Sequence, residues 1–392
     1  MINFDWLILF MEIQKLISLG SISLNKDFWG KKTCFSLFLL FSLLSSMAHF
    51  IKRSLTTCVE KPATIKKSLP MFDFFAVPKP KASYTLSNGA TGFAKRRQTT
   101  PCIQMPYHVQ VGEDAYFKRS DAIGVADGIG GWSNTAGIFQ TKFFFYFLLI
   151  YLSGANSALY SSQLMHYANL EMNRFEDIED PYFFQYNTTN PVDILQRSYE
   201  QSLKEAKRLN TLGSTTACIA VLRHDELRVA NIGDCGISVI RHNQYVFRSE
   251  EQQHAFNFPY QLGILSKDQP KDAQSFTVQV EKGDIIIMAT DGLYDNLFDK
   301  DILDIVRKHV QEHTIPATKD RPARICNLQP QMLSDVLANK AKEVSETRYR
   351  IETPFQRRAM KEGFLMEGGK QDDISVIVAI VKDCEDSPDR RL

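Results

Sequence analysis

The chain has 392 residues, of which 44% are hydrophobic and 23% charged, which excludes a wholly disordered, collagen-like or repeat-dominated protein. Its 46 Lys and Arg balance 45 Asp and Glu, and the net charge of +1 gives no indication of nucleic-acid binding. The seven cysteines are widely spread without a CxxC pair, which gives no support for a zinc ribbon or thioredoxin-type motif and favours reduced thiols.

The N-terminal region carries two signals that concern targeting. Residues 33–51 contain no charged side chain and lie between two pairs of basic residues. Their length matches the roughly 20 residues that cross a bilayer, which predicts a membrane anchor or an uncleaved signal, with a buried helix as the alternative. The chain that follows from Met47 is basic and rich in Ser and Thr, which is typical of a mitochondrial transit peptide. We therefore expect residues 1–88 to be a targeting or membrane segment and basic linker, with the linker itself over 72–98.

A regular pattern of short apolar runs begins at about Tyr107. Because the runs are rich in Val and Ile and end in Gly, Asp or Asn, they predict strands over 122–126, 216–222, 227–232, 237–241, 276–280, 284–290 and 374–382. Helices are predicted over 157–174, 191–210, 300–311 and 330–345, with Pro191 and Pro330 in first turns. Short turns between neighbouring strands indicate antiparallel pairing, so we expect an α+β fold with helices packed outside the sheet.

Acidic residues lie where several of these predicted strands begin or end. They are Glu113, Asp114, Asp127, Asp234, Asp291, Asp372 and Asp373. A single Asp-Gly pair usually marks a surface turn, but an acid directly after a fully apolar strand is costly to bury alone. If the last strand runs antiparallel to the others, all these carboxylates meet at one end of the sheet.

Such a cluster indicates a cation, because neighbouring carboxylates repel one another unless a positive charge compensates them. Mg²⁺ and Mn²⁺ prefer oxygen ligands, and a glycine after Asp127 lets a backbone carbonyl serve as one of them. Two such ions a few ångströms apart can activate a water and hold a phosphoryl group, which is hydrolysis without a protein nucleophile.

The chain also resembles a known family, the metal-dependent type 2C Ser/Thr protein phosphatases. The motifs that carry the resemblance are, in order, GEDAYF, GVADGIGGW, LGSTTACIAVL, VANIGDCGISVI, EKGDIIIMATDGLYDNL and GGKQDDISVIVAIV. The forms DGIGGW and QQHAFNFPYQLG resemble the mitochondrial subgroup linked to coenzyme Q biosynthesis. The resemblance implies a four-layer α-β-β-α sandwich of two antiparallel sheets flanked by helices. It implies a phosphatase domain over residues 89–384, followed by a polar tail over 385–392.

The resemblance further implies Mn²⁺- or Mg²⁺-dependent hydrolysis of phosphoserine and phosphothreonine in proteins, by a monomeric catalytic domain. In the family pattern, Asp127 corresponds to the carboxylate that bridges two ions, and Gly128 offers its carbonyl. Glu113 corresponds to a ligand of one ion, and Asp291 and Asp372 correspond to ligands of the other.

The remaining acids have less direct roles in that pattern. Asp114 resembles the acid that orients a metal-bound water, and Asp234 resembles the ligand of a weaker third ion. Asp373 stands where many members have Asn, which leaves its role open. Two departures are Val109, where many members have a phosphate-binding Arg, and Ile129, where many have a His that acts as general acid.

These departures support a second hypothesis, a catalytically inactive phosphatase-fold scaffold or regulator. The complete set of acids argues against it, because buried carboxylates without a cation are strongly destabilising. A third hypothesis, a membrane-tethered interaction protein, depends on residues 1–51 alone.

An atypical hydrophobic insertion occupies residues 138–154, directly after the predicted metal site. Its uncharged core, residues 143–152, is too short for a confident bilayer span and is poorly suited to a surface loop. The two interpretations are a helix extension and the translation of a retained intron. We favour the second, because an apolar run of this kind conflicts with the surrounding domain.

Overall fold

The computed structural model describes residues 81–95, 108–129, 156–318, 324–325, 328–349 and 351–385. The chain divides into two units, Met1–Val77 and Pro78–Leu392, and all described residues belong to the second. The predictions for residues 33–51 and 138–154 lie outside the described residues. Among the helices of the described segments, none has both the length and the hydrophobicity that crossing a membrane requires.

The secondary structure elements are numbered here along the chain. The strands are β1 (Tyr84–Phe93), β2 (Val109–Val111), β3 (Asp114–Lys118), β4 (Ala122–Ala126), β5 (Ser214–Thr215), β6 (Ala217–Arg223), β7 (Glu226–Ile232), β8 (Gly236–Arg241), β9 (Gln244–Arg248), β10 (Gln253–Ala255), β11 (Phe258–Pro259), β12 (Leu262–Gly263), β13 (Gln274–Gln279), β14 (Ile285–Ala289), β15 (Thr314–Ile315), β16 (Arg324–Ile325) and β17 (Ile374–Asp383). The α-helices are α1 (Ser157–Asn173), α2 (Pro191–Leu209), α3 (Asp291–Tyr294), α4 (Asp299–Glu312), α5 (Pro330–Ser345) and α6 (Pro354–Lys361), and 3₁₀ helices cover Pro181–Thr188 and Pro270–Asp272.

Two antiparallel sheets form the centre of the domain. One has the strand order β1-β17-β14-β8-β9, and the other has the order β13-β7-β6-β4-β3-β2. Strand β6 shows why they stack, since its alternate residues enter two different cores. Ala217, Ile219 and Val221 face the helices, whereas Cys218, Ala220 and Leu222 face the other sheet.

Helices cover the outer face of each sheet. Helices α1 and α2 pack on the six-stranded sheet through a core that includes Leu164, Met165 and Ile194. Helices α4 and α5 pack on the five-stranded sheet through Val306, Leu337 and their neighbours. A third apolar cluster fills the space between the sheets. The predicted four-layer α-β-β-α sandwich is therefore confirmed.

Most predicted elements agree with the structure to within two residues. Strand β4 and helix α5 have the predicted bounds, and Pro191 and Pro330 each begin a helix. The linker predicted over residues 72–98 is wrong over β1, which pairs along its whole length with β17. Its sequence, YTLSNGATGF, has few large apolar residues, because the strand lies at a sheet edge and only Leu86 and Gly89 are buried.

Candidate metal centre

A tight turn between β2 and β3 presents Glu113. The turn consists of Gly112, whose φ of +65° suits glycine, and Glu113 itself. The carboxylate of Asp373 lies against this turn and accepts the Glu113 N–H through Oδ2 at 2.8 Å. A Cβ on Gly112 would lie 2.3 Å from Asp373 Oδ1, so the turn and the start of β17 fit together only with glycine at this position. Asp373 thus holds the backbone that carries Glu113.

Asp127 follows β4 directly and is fixed by its own backbone. Its carbonyl accepts hydrogen bonds from the Thr216 N–H at 2.9 Å and from Thr215 Oγ1 at 2.7 Å. The next residue, Gly128, donates its N–H to the carbonyl of Glu113 at 3.1 Å. These contacts bring the ends of β3, β4 and β6 to one point, as the sequence predicted for the acids at strand ends.

Asp291 begins helix α3, immediately after β14 and Thr290. The glycine that follows is required by packing, because a Cβ on Gly292 would lie 2.0 Å from the carbonyl oxygen of Asp373. Strand β17, which begins after Asp372 and Asp373, runs antiparallel to β14. Asp291 therefore meets Asp372 and Asp373 at one end of the five-stranded sheet, as predicted.

Three carboxylates at this end have a buried oxygen that makes no hydrogen bond to any described residue: Oδ1 of Asp114, of Asp234 and of Asp291. Asp114 is fully buried, and its other oxygen accepts from Thr290 Oγ1 at 2.9 Å. Buried oxygens of this kind are costly without a partner, so they are suited to bind a cation.

The acids are also coupled electrostatically. Burial raises the pKa of Asp127 well above its ordinary value, and Asp291, Asp114, Asp372 and Asp234 raise it further. Burial likewise raises the pKa of Asp291 to about 7, although Lys370 acts in the opposite direction. A bound cation would relieve this accumulation of negative charge.

Lys370 compensates part of that charge from inside the domain. Its Nζ lies 2.5 Å from Asp291 Oδ2, 2.6 Å from Asp295 Oδ2 and 3.3 Å from Asp372 Oδ2. Burial opposes the lysine charge, but these three carboxylates raise the pKa of Lys370 well above its ordinary value. Asp295 is paired in addition with Arg358, which also pairs with Glu251.

Lys95 compensates the acids from the solvent side. Its Nζ lies 2.9 Å from Glu113 Oε2 and 3.0 Å from Asp372 Oδ1, and its side chain is 31% exposed. Burial acts to raise the pKa of Asp372, but Lys370 and Lys95 together hold it below its ordinary value. Asp372 therefore lies between two lysines.

The donor atoms of these residues are of the type that binds divalent ions, although their side chains are not arranged around a common metal position. In the described part of the chain, no group of three or more His, Cys, Asp and Glu side chains is arranged to hold a metal ion as it stands. The two lysines hold Glu113, Asp291 and Asp372 by ion pairs. The candidate ligands are nevertheless all hard oxygen donors, the type that Mg²⁺ and Mn²⁺ prefer, and two of them, Asp234 and Asp291, have an unpartnered buried oxygen.

Sequence reasoning missed Lys95, Thr290, Asp295 and Lys370 as members of this site. Lys370 and Asp295 lie within the motifs GGKQDD and GLYDNL, where proximity to the named acids was an available signal. Lys95 had no such signal, because β1 was taken for a linker. The segment 235–241 matches the Cys-x₅-Arg motif of tyrosine phosphatases by sequence. It is mainly strand β8, so it cannot form the phosphate-binding loop that this motif requires before a helix.

Comparisons with known proteins agree with this architecture. The family described as Stage II sporulation protein E (SpoIIE) matches residues 154–346. The human protein phosphatase PTC7 homolog is 32% identical over 293 residues, which cover 70% of this chain and 81% of the human protein. The probable protein phosphatase 2C 80 of Arabidopsis thaliana is 34% identical over 273 residues, or 69% of this chain and 54% of that protein.

A solved structure gives the same result. The X-ray structure of the photosystem II phosphatase PBCP has 26% sequence identity and a TM-score of 0.54, with 76% of this chain and 99% of that chain covered. The chain therefore belongs to the protein phosphatase 2C family of Ser/Thr phosphatases, as the motifs predicted. Its similarity to the PTC7 homologs extends over most of their length, whereas it spans about half the length of the Arabidopsis relative.

Proposed function

We propose that this chain is a Mn²⁺- or Mg²⁺-dependent protein Ser/Thr phosphatase that hydrolyses phosphoserine and phosphothreonine in proteins. The observation that carries the proposal is the convergence of acids from both sheets on one end of the sandwich. Three of these acids have a buried oxygen without a hydrogen-bond partner among the described residues. Membership of the protein phosphatase 2C family gives the chemistry that such a site would perform.

The proposed ligands of two ions are Asp127, the Gly128 carbonyl, Glu113, Asp291 and Asp372. When bound, the ions supply an activated water and neutralise the phosphoryl oxygens. The protein contributes the fixed positions of the ligands, through the hydrogen bonds at the Asp127 backbone and at the Glu113 turn.

The other acids have supporting roles in the proposal. Asp114, held by Thr290, orients the attacking water and accepts its proton through Oδ1. Asp234 contributes a carboxylate to a weaker third ion. Asp373 accepts the N–H groups of Lys95 and Glu113 at 2.7 and 2.8 Å, so it positions the turn rather than binding an ion.

The test is hydrolysis of p-nitrophenyl phosphate and of a phosphothreonine peptide by the full chain. We expect activity with added Mn²⁺ or Mg²⁺, none after EDTA treatment, and recovery when the metal is restored. Metal-independent hydrolysis would contradict the metal site. Absence of hydrolysis under all these conditions would favour the inactive scaffold or regulator.

That second candidate has a specific observation in its favour. Lys370 pairs closely with Asp291, Asp295 and Asp372, so three acids at this end already have a cationic partner. Binding of Mn²⁺ with micromolar or tighter affinity, measured by calorimetry on the full chain, would argue against this alternative independently of any turnover.

We also propose a mitochondrial location, with membrane attachment through residues 33–51. It rests on the uncharged segment followed by a basic, Ser- and Thr-rich one. The boundary expected between residues 88 and 89 falls inside β1, so we propose a targeting region ahead of β1, a monomeric catalytic domain that begins with β1, and a tail over residues 385–392. Fractionation of cells that express the chain with and without residues 1–46 tests the location. Exclusively cytosolic protein in both cases would refute it.

A further inference from the structure

Lys95 has a position that the proposed chemistry does not yet use. It follows β1 at the edge of the five-stranded sheet, and its backbone N–H is held by Asp373 Oδ1 at 2.7 Å. Its ammonium group is therefore anchored beside Glu113 and Asp372 while its side chain remains 31% exposed. This combination places a fixed positive charge at the solvent side of the acidic cluster.

The hydrogen-bonding capacity of this ammonium group is not exhausted by its described neighbours. Lysine has three N–H donors, and Lys95 donates one to Asp372 and forms an ion pair with Glu113. Asp373 Oδ2, at 3.9 Å, is beyond hydrogen-bond range. Within the described residues, one N–H thus remains for an incoming oxygen.

Lys370 provides a contrast within the same site. Its Nζ has three carboxylates within 3.3 Å, and its side chain is only 16% exposed. It donates hydrogen bonds to Asp291 and Asp295 and forms an ion pair with Asp372, so the group faces the interior. The two lysines consequently differ in what they can offer a ligand, although both contact Asp372.

A phosphate monoester carries nearly two negative charges at neutral pH, so an entrance lined with acids would repel it. On these grounds we propose that Lys95 binds a phosphoryl oxygen of the substrate and determines its affinity. The proposal rests on the phosphatase function proposed above.

The test compares the full chain with Lys95→Ala, Lys95→Arg and Lys81→Ala. Lys81 is a suitable control, because it precedes the same strand and pairs with Glu226 at 3.0 Å on an exposed surface. Binding of inorganic phosphate to the Mn²⁺-loaded protein is measured by calorimetry, and KM and kcat are measured with p-nitrophenyl phosphate. Mn²⁺ binding to each metal-free variant is measured separately.

We expect Lys95→Ala to weaken phosphate binding and to raise KM by about tenfold or more, since a hydrogen bond to a charged group is lost. Lys95→Arg should restore most of the affinity, and Lys81→Ala should match the original chain. Mn²⁺ binding should not weaken in Lys95→Ala, because the substitution removes a cation from the ligands.

Unchanged phosphate affinity in Lys95→Ala would overturn the proposal. A parallel loss of Mn²⁺ affinity would also overturn it, since Lys95 would then support the ligands rather than the substrate. If the original chain binds phosphate but hydrolyses neither substrate, the proposed function fails. The calorimetric comparison still decides the role of Lys95 in that case.

Discussion

The hydroxyl of Thr290 donates a hydrogen bond to Asp114 Oδ2 at 2.9 Å and thereby joins the two sheets at the acidic end of the sandwich. Thr290 follows β14 of the five-stranded sheet, and Asp114 begins β3 of the six-stranded sheet. Thr290 Oγ1 also accepts the Ser375 N–H at 3.1 Å. One hydroxyl therefore positions an acid of the candidate site and the start of β17.

The first prediction concerns this hydroxyl. Thr290→Val keeps the shape of the side chain but leaves Asp114 and the Ser375 N–H without that partner. We expect a loss of about 1–3 kcal/mol in the free energy of unfolding, measured in urea, because both groups are buried. Thr277→Val, at an exposed position of β13, is the control. Equal stability of the two variants would show that the hydroxyl makes no net contribution.

The second prediction concerns the proposed ligands. Changes to groups that only support metal ligands typically reduce affinity or activity about 10–100-fold. Asp127→Asn and Asp291→Asn remove a ligand charge, so each should abolish nearly all Mn²⁺-dependent hydrolysis. The fold should persist, since each change also relieves repulsion among buried acids.

The control for these variants is Asp304→Asn, which alters an exposed acid on α4. Its hydrolysis rate should match that of the original chain, and circular dichroism should be the same for all three variants. Full activity in either ligand variant would refute the assignment of that residue.

The third prediction concerns Lys370. Lys370→Met removes the cation shared by Asp291, Asp295 and Asp372, so the metal-free protein should lose about 3–5 kcal/mol of stability. Added Mn²⁺ should raise Tm more in this variant than in the original chain, because the ions restore positive charge. Lys340→Met, at an exposed position of α5, should shift stability by less than about 0.5 kcal/mol. Wild-type stability in Lys370→Met would contradict the prediction.

The fourth prediction concerns the insertion at residues 138–154. Helix α1 begins after it with its own N-cap, since Asn156 Oδ1 accepts the Leu159 N–H at 2.9 Å. The start of the helix is thus defined without the insertion. Its deletion should give a more soluble protein with a higher Tm and at least equal hydrolysis. A lower Tm together with lost Mn²⁺-dependent activity would identify the insertion as an integral part of the fold.

Much of the fold could be predicted from the sequence, because most strands and helices carry a recognisable signal within their own residues. The apolar run of β6 and the proline at the start of α2 are local signals, and both elements lie within one residue of their predicted bounds. Strand β1 could not be found in this way, because its polar, glycine-containing sequence becomes a strand only by pairing with β17.

The same distinction applies to the candidate site. The acids lie next to apolar strands and can be recognised from their place in the chain. The contact of Lys95 with Glu113 and Asp372 depends on three segments that meet only in the folded domain. No local pattern encodes such a contact, and the difference between Lys95 and Lys370 emerges only from burial and distance.

The position of β17 has a consequence for how the domain is made. This strand is central in its sheet, between β1 and β14, and yet it is the last described strand of the chain to leave the ribosome. Until then β1 has no strand to pair with in its sheet, and Asp372 and Asp373 cannot join the other acids of the candidate site. Such long-range pairing slows folding and leaves apolar strands open to aggregation in the meantime. Nascent chains that end before residue 374 should therefore depend on chaperones, and premature stop codons near the 3′ end should yield insoluble protein rather than a weakened enzyme.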